Sequence, residues 1–146
     1  MHINLDRLRD HLTKLGTFGR TSTGGITRPS FSAADREARQ YVSGLMTEAG
    51  CIVRTDPVGN LIGRVEGACP APAIVLGSHI DTVPEGGQFD GALGVMAAVE
   101  VIQTLRENKI NLHHPVEVIA FADEEGAYLT GTFGSRAMMG LLSVQD

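Results

Sequence analysis

The sequence predicts an α/β fold, and two observations carry that prediction. The unbroken apolar run at 73–77 reads as a strand buried on both faces, and 116–122, apolar but for Glu117, as a second buried strand. Between them, residues 92–107 place Leu93, Val95, Met96, Val99, Val101, Ile102 and Leu105 on a helix with a broad apolar surface. Strand, helix, strand in that order is a βαβ unit, which joins parallel neighbours by a right-handed crossover.

The elements follow in chain order. Leu5, Leu8, Leu12 and Leu15 recur at helical spacing, with Asn4 as N-cap and Gly16 as the stop. Residues 17–31, rich in Gly, Thr, Ser and Arg, read as a loop. Ser32-Ala-Ala-Asp35 resembles a capping box with Asp in place of Glu, and opens a helix to about residue 49. That helix buries Ala38, Tyr41, Val42, Leu45 and Met46, and Gly50 follows as its C′ residue. Segments 51–55 and 60–65 flank the turn Asp56-Pro-Val-Gly59 and form a hairpin. Pro70-Ala-Pro72 breaks the chain before the first buried strand. A glycine-rich loop spans 78–91, and a short helix is expected within 130–142.

Composition narrows the class. The 146 residues suit one domain, and 42% apolar with 20% charged residues is ordinary globular content. No apolar stretch approaches the ~18–20 residues of a membrane span. The first residues lack the basic start and apolar run of a signal peptide, so a cytoplasmic protein is the expectation. A net charge of −5 without a basic cluster argues against nucleic acid. Cys51 and Cys69 form no CxxC and are expected to be reduced thiols.

The chemistry lies in three places: His79 and Asp81 after the first buried strand, Asp90 before the helix, and Glu124-Glu125 after the second strand. Open α/β sheets bind ligands at the carboxyl ends of their strands, so the topology brings these distant residues to one crevice. Imidazole and carboxylates without thiolate suit Zn²⁺, Mn²⁺ or Co²⁺ in a reactive site rather than a structural zinc. Asp90 has two oxygens and can bridge two ions about 3.5–4 Å apart, with His79 on one and Glu125 on the other. Asp81 can accept the second ring N–H of His79. Glu124, beside a ligand, is placed to take a proton from the attacking water. Bland readings stand beside each: Asp90 as a helix N-cap, the Glu pair as a solvated corner. His113-His114 reads as a surface turn at the far end of the strand, and Arg28 as a solvated loop residue.

These residues resemble the amidase/carbamoylase branch of the M20 metallopeptidase superfamily, which includes N-carbamoyl-L-amino-acid hydrolases and allantoate amidohydrolases. The matching stretches include Gly24-Gly-Ile-Thr-Arg28, Asp-Pro-Val-Gly-Asn-Leu-Ile-Gly at 56–63, Gly86-Gly-Gln-Phe-Asp-Gly91, the segment 118–126 and Gly134-Ser-Arg-Ala137. The resemblance implies a three-layer αβα, zinc-peptidase-like catalytic domain with a mixed, mostly parallel sheet. It implies His79, Asp90 and Glu125 as metal ligands, Glu124 as general base, Asp81 as the orienting group and two divalent ions, zinc or manganese and in some cases cobalt. It also implies a non-prolyl cis peptide between Asp90 and Gly91. The substrate expected is a small carbamoyl or ureido acid. A dipeptidase or aminoacylase of the same superfamily is the nearest alternative, and a non-catalytic module with no formed metal site is the alternative of another class. One departure is local: the family commonly has Arg-Phe where this chain has Tyr128-Leu129.

Family members are two to three times longer than this chain. Residues 1–146 are therefore expected to be the N-terminal portion of the catalytic domain, without the dimerisation domain or the C-terminal part. The full-length parent is expected to be a homodimer. A further histidine for each ion is expected from the missing part. The chain alone is expected to self-associate and to have little or no activity.

Overall fold

The structure, a computed structural model, describes residues 2–143. The last three residues, 144–146, lie outside the described part. Helix α1 spans Leu5–Leu15 and α2 spans Ala33–Glu48; strands β1 (Ile52–Thr55), β2 (Leu61–Val65) and β3 (Ile74–His79) follow. Helix α3 (Ala92–Glu107), strand β4 (Val116–Phe121) and the short helix α4 (Phe133–Met138) complete the order.

Both predicted caps form. The Asn4 side chain accepts the Arg7 N–H, and Ser32 Oγ accepts the Asp35 N–H at 3.2 Å. The Asp35 carboxylate reaches back to the Phe31 N–H at 2.8 Å, one residue before the N-cap. The shorter aspartate thus closes a variant of the capping box. Such caps stabilise a helix by about 1 kcal/mol each.

The sheet has the order β1-β2-β4-β3. It is mixed, as expected, but its parallel content is the β3–β4 pair; β1–β2 and β2–β4 are antiparallel. The sheet is therefore not mostly parallel over this stretch. The β3–β4 pair and its crossover α3 form the predicted βαβ unit, and β1–β2 the predicted hairpin. Strand β3 runs two residues further than its apolar core, so His79 ends the strand instead of following it. It also lies at the sheet edge, with Ile74 53% and Val75 49% exposed. The expectation of burial on both faces fails there because no strand pairs with its outer side among the described residues.

Helices α1, α2 and α3 share one core with the inward rows of the sheet, including Leu61, Val118 and Ala120. Met46 of α2 comes close enough to β2 that a side chain at Gly63 would meet its sulfur. On the opposite face Ile62 and Ile119 are buried, while Ile52 is 71% exposed and Glu117 lies between Arg54 and Arg64. Of the expected opposing helix layer, the described residues hold at most α4, packed against β4. Among the described residues, no helix is long and apolar enough to cross a membrane.

Candidate metal centre

The parallel register fixes the meeting place. His79 pairs with Phe121, so the carboxyl ends of β3 and β4 are level. Residues 80–82 and 122–125 then leave the sheet side by side. Asp90 arrives from the loop before α3. Ligand atoms of His79, Asp90 and Glu125 all lie within 4.8 Å of one another. Among the described residues this is the one group of three or more such side chains.

His79 is oriented from both sides. Its Nδ1 lies 3.0 Å from the main-chain oxygen of Asp81 and 3.5 Å from the Asp81 carboxylate. The ring contact predicted for Asp81 is thus made chiefly by its backbone. Its carboxylate also accepts the Glu125 N–H at 3.1 Å, which ties the exits of the two strands together. The other ring nitrogen, Nε2, faces Glu125 at 3.6 Å. Burial lowers the His79 pKa, but the Asp81 side chain and main chain, with Glu125, outweigh it and raise it to about 8. Burial raises the Asp81 carboxyl, and His79 together with the Glu125 N–H more than offsets this, holding it below the usual value.

The donor set fits a divalent cation. It contains one imidazole and two carboxylates, with no thiolate, and its charges attract a positive ligand. Buried Asp81 Oδ1 has no hydrogen bond within normal length and faces the His79 ring at 3.5 Å, so its negative charge backs the histidine. Asp90 is exposed and does not cap α3; that place is taken by Gly91. The Asp90–Gly91 peptide is trans, against the implied cis bond, and the chain turns into α3 at Gly91 with φ 61° and ψ −50°.

Glu124 stands apart from the three ligand candidates. Its two carboxylate oxygens accept from Ser135, Oε1 from the N–H and Oε2 from the hydroxyl, each at 2.8 Å. The loop that carries both glutamates is shaped by Asp123. This residue is fully buried at φ 53°, and its carboxylate accepts the N–H groups of Ala127 and Leu129, each at 2.9 Å. Neither Ser135 nor Asp123 was singled out for such a role in the sequence. Asp123 adjoins the Glu pair and Ser135 sits in a matching motif, and those were the available signals.

Arg28 is not a solvated loop residue. It is 1% exposed, and its guanidinium donates to the main-chain oxygens of Leu15, Phe18 and Ile80. It therefore ties the end of α1 to the exit of β3. Burial pulls its pKa below the usual arginine value, against the pull of Asp35 and Asp81. Pro29 beside it and the small residues around it were the sequence signals of an ordered turn. His113 and His114 lie before β4, away from the cluster; His113 approaches Cys69 Sγ at 3.7 Å. Both cysteines are free thiols.

An α/β sheet with imidazole and carboxylates converging at parallel strand ends forms a candidate divalent-metal site. The profile of Peptidase family M28 matches residues 60–144, and the chain belongs to that family. Relatives named for carbamoyl and allantoate hydrolysis are among its matches. The N-carbamoyl-L-amino acid amidohydrolase of Geobacillus stearothermophilus is 52% identical over 139 residues, covering 94% of this chain and 34% of the relative. The allantoate amidohydrolase of Bacillus subtilis is 37% identical, covering 95% of this chain and 34% of the relative. A hydantoinase/carbamoylase family amidase from Burkholderia ambifaria superposes with a TM-score of 0.95 at 38% identity, covering 99% of this chain and 36% of that one. The chain thus spans about a third of the length of these relatives.

Proposed function

We propose that this chain is the N-terminal portion of the catalytic domain of a metal-dependent amidohydrolase. Its substrates are small N-carbamoyl or ureido acids, and the parent works in the cytoplasm as a homodimer. The single observation that carries the reading is the convergence of His79, Asp90 and Glu125 at the carboxyl ends of β3 and β4. Relatives named for carbamoyl and allantoate hydrolysis support the substrate class.

His79, Asp90 and Glu125 would hold two divalent ions, zinc or manganese and in some cases cobalt, with further ligands from outside this chain. When bound, the ions polarise the scissile carbonyl and lower the pKa of water. Asp81 keeps the His79 ring turned so that Nε2 is free for ligation. Glu124 accepts the proton of the attacking water and passes it to the leaving nitrogen. With an N-carbamoyl amino acid, the bond from the carbamoyl carbon to the amino nitrogen breaks. This releases the amino acid and carbamate, which yields ammonia and carbon dioxide.

Glu124→Ala in the full-length protein tests the reading. Turnover falls at least about 100-fold, the usual scale for losing a general acid–base, while bound metal stays at the parent level. Loss of metal together with activity would make Glu124 a ligand instead. Glu125→Ala shows the opposite pattern and is depleted of metal.

A further inference from the structure

We infer that Ser135 is a positioning residue for Glu124, and this rests on the reading of Glu124 as the general base. A single residue occupies both oxygens of that carboxylate: the Ser135 N–H bonds Oε1 and its hydroxyl bonds Oε2, each at 2.8 Å. Two parallel donors on one carboxylate fix both the place of the group and the plane in which it lies. Each oxygen keeps a further lone pair for a proton from solvent or substrate.

The surroundings hold the clamp in register. Thr132 donates its N–H to the main-chain oxygen of Glu124 at 2.9 Å, and Phe133 donates to that of Asp123 at 3.3 Å. Gly134, next to Ser135, is buried, and its N–H bonds the Ala122 oxygen at 2.8 Å. The Asn60 side chain then joins the Gly134 oxygen to the Ala122 N–H, at 3.0 and 2.9 Å. The base and its clamp are therefore anchored to the same end of β4. Their spacing is set by main-chain bonds and not by a mobile side chain. Beside Glu124 stands Glu125, a carboxylate of the ligand group. With both oxygens engaged by Ser135, Glu124 is restrained from turning to join that group as a further ligand. A site of this kind works only when such supporting contacts fix the reacting group.

The test uses the metal-loaded full-length protein with N-carbamoyl-L-amino acids. Ser135→Ala lowers kcat about 10-fold or more and leaves KM within about twofold, because only a transition-state contact is disturbed. Ser135→Thr, which keeps hydroxyl and N–H, restores most of kcat. Hydrogen–deuterium exchange of residues 131–140 adds a readout without turnover: the Ser135 amide is protected in the parent and exchanges faster in Glu124→Ala. Unchanged kcat in Ser135→Ala, or an equal loss in the Ala and Thr variants, would overturn the inference and leave Glu124 as base. Full turnover in Glu124→Ala would sink the reading of the base itself, whatever Ser135→Ala does.

Discussion

At the scale of residues, Gly91 shows how closely the metal centre is packed. A Cβ placed there would run into the His79 ring. Its backbone, at φ 61° and ψ −50°, also lies where L-residues rarely go. Gly91→Ala should therefore displace His79 and weaken divalent-metal binding about 10-fold or more, as loss of ligand-orienting contacts does. Calorimetric metal titration of the full-length protein checks this, and parent-level affinity would refute it. The convergence of His79, Asp90 and Glu125 was legible, because each lies at or beside the end of an element whose apolar pattern is plain. The partners of those residues were not. Arg28 and Asp123 are polar by type and buried by context, and Ser135 meets Glu124 across eleven positions. Nothing local in the sequence distinguishes a serine that clamps a carboxylate from one that faces water.

At the scale of elements, α1 is joined to α3 by more than apolar contact. Glu100, 2% exposed on α3, accepts from Arg7 Nε at 2.7 Å, from the Asn4 N–H at 2.7 Å and from Thr104 at 3.0 Å. Removing Arg7 leaves a buried carboxylate without its cation, which typically costs about 3–5 kcal/mol. Chemical denaturation of Arg7→Ala should show a loss of roughly that size, and Glu100→Gln in the same chain should recover part of it. The pH dependence has a definite sign. Burial raises the Glu100 carboxyl, but Arg7, the Asn4 N–H and Thr104 outweigh it and hold it below the usual glutamate value. A depressed carboxyl stabilises the fold above its unfolded value, near 4.3–4.5, and that stability is lost as pH falls through the lower folded value. The acid limb of stability should flatten in Glu100→Gln. Helix and strand positions were readable because the 3.6-residue period and the apolar runs are local signals. The edge position of β3 was not, because neighbour order is a property of the whole sheet.

At the scale of the whole molecule, the described residues cover one sheet face with α2 and α3, on which α1 packs, and leave the β3 edge and part of the other face open. Ile74 and Val75 on that edge and Ile52 on β1 are all about half or more exposed. Unpaired strand edges with apolar side chains invite association. Sedimentation of the 146-residue chain alone should show species heavier than the monomer, and a clean monomer at tens of micromolar would contradict this. Mixed rather than mostly parallel pairing also belongs to this scale. The β1–β2 hairpin packs antiparallel onto β4, so the parallel pair is confined to the two strands that carry the site.

Asp123 has one more consequence. It shapes the 123–129 loop by accepting main-chain N–H groups, so the side chains of Tyr128 and Leu129 take no part in that framework and stand 64% and 45% exposed. Selection can therefore rewrite those two positions without moving the glutamates. The Tyr128-Leu129 pair, expected from the resemblance to read Arg-Phe, thus sits where a change of side chain leaves the backbone that carries the glutamates in place.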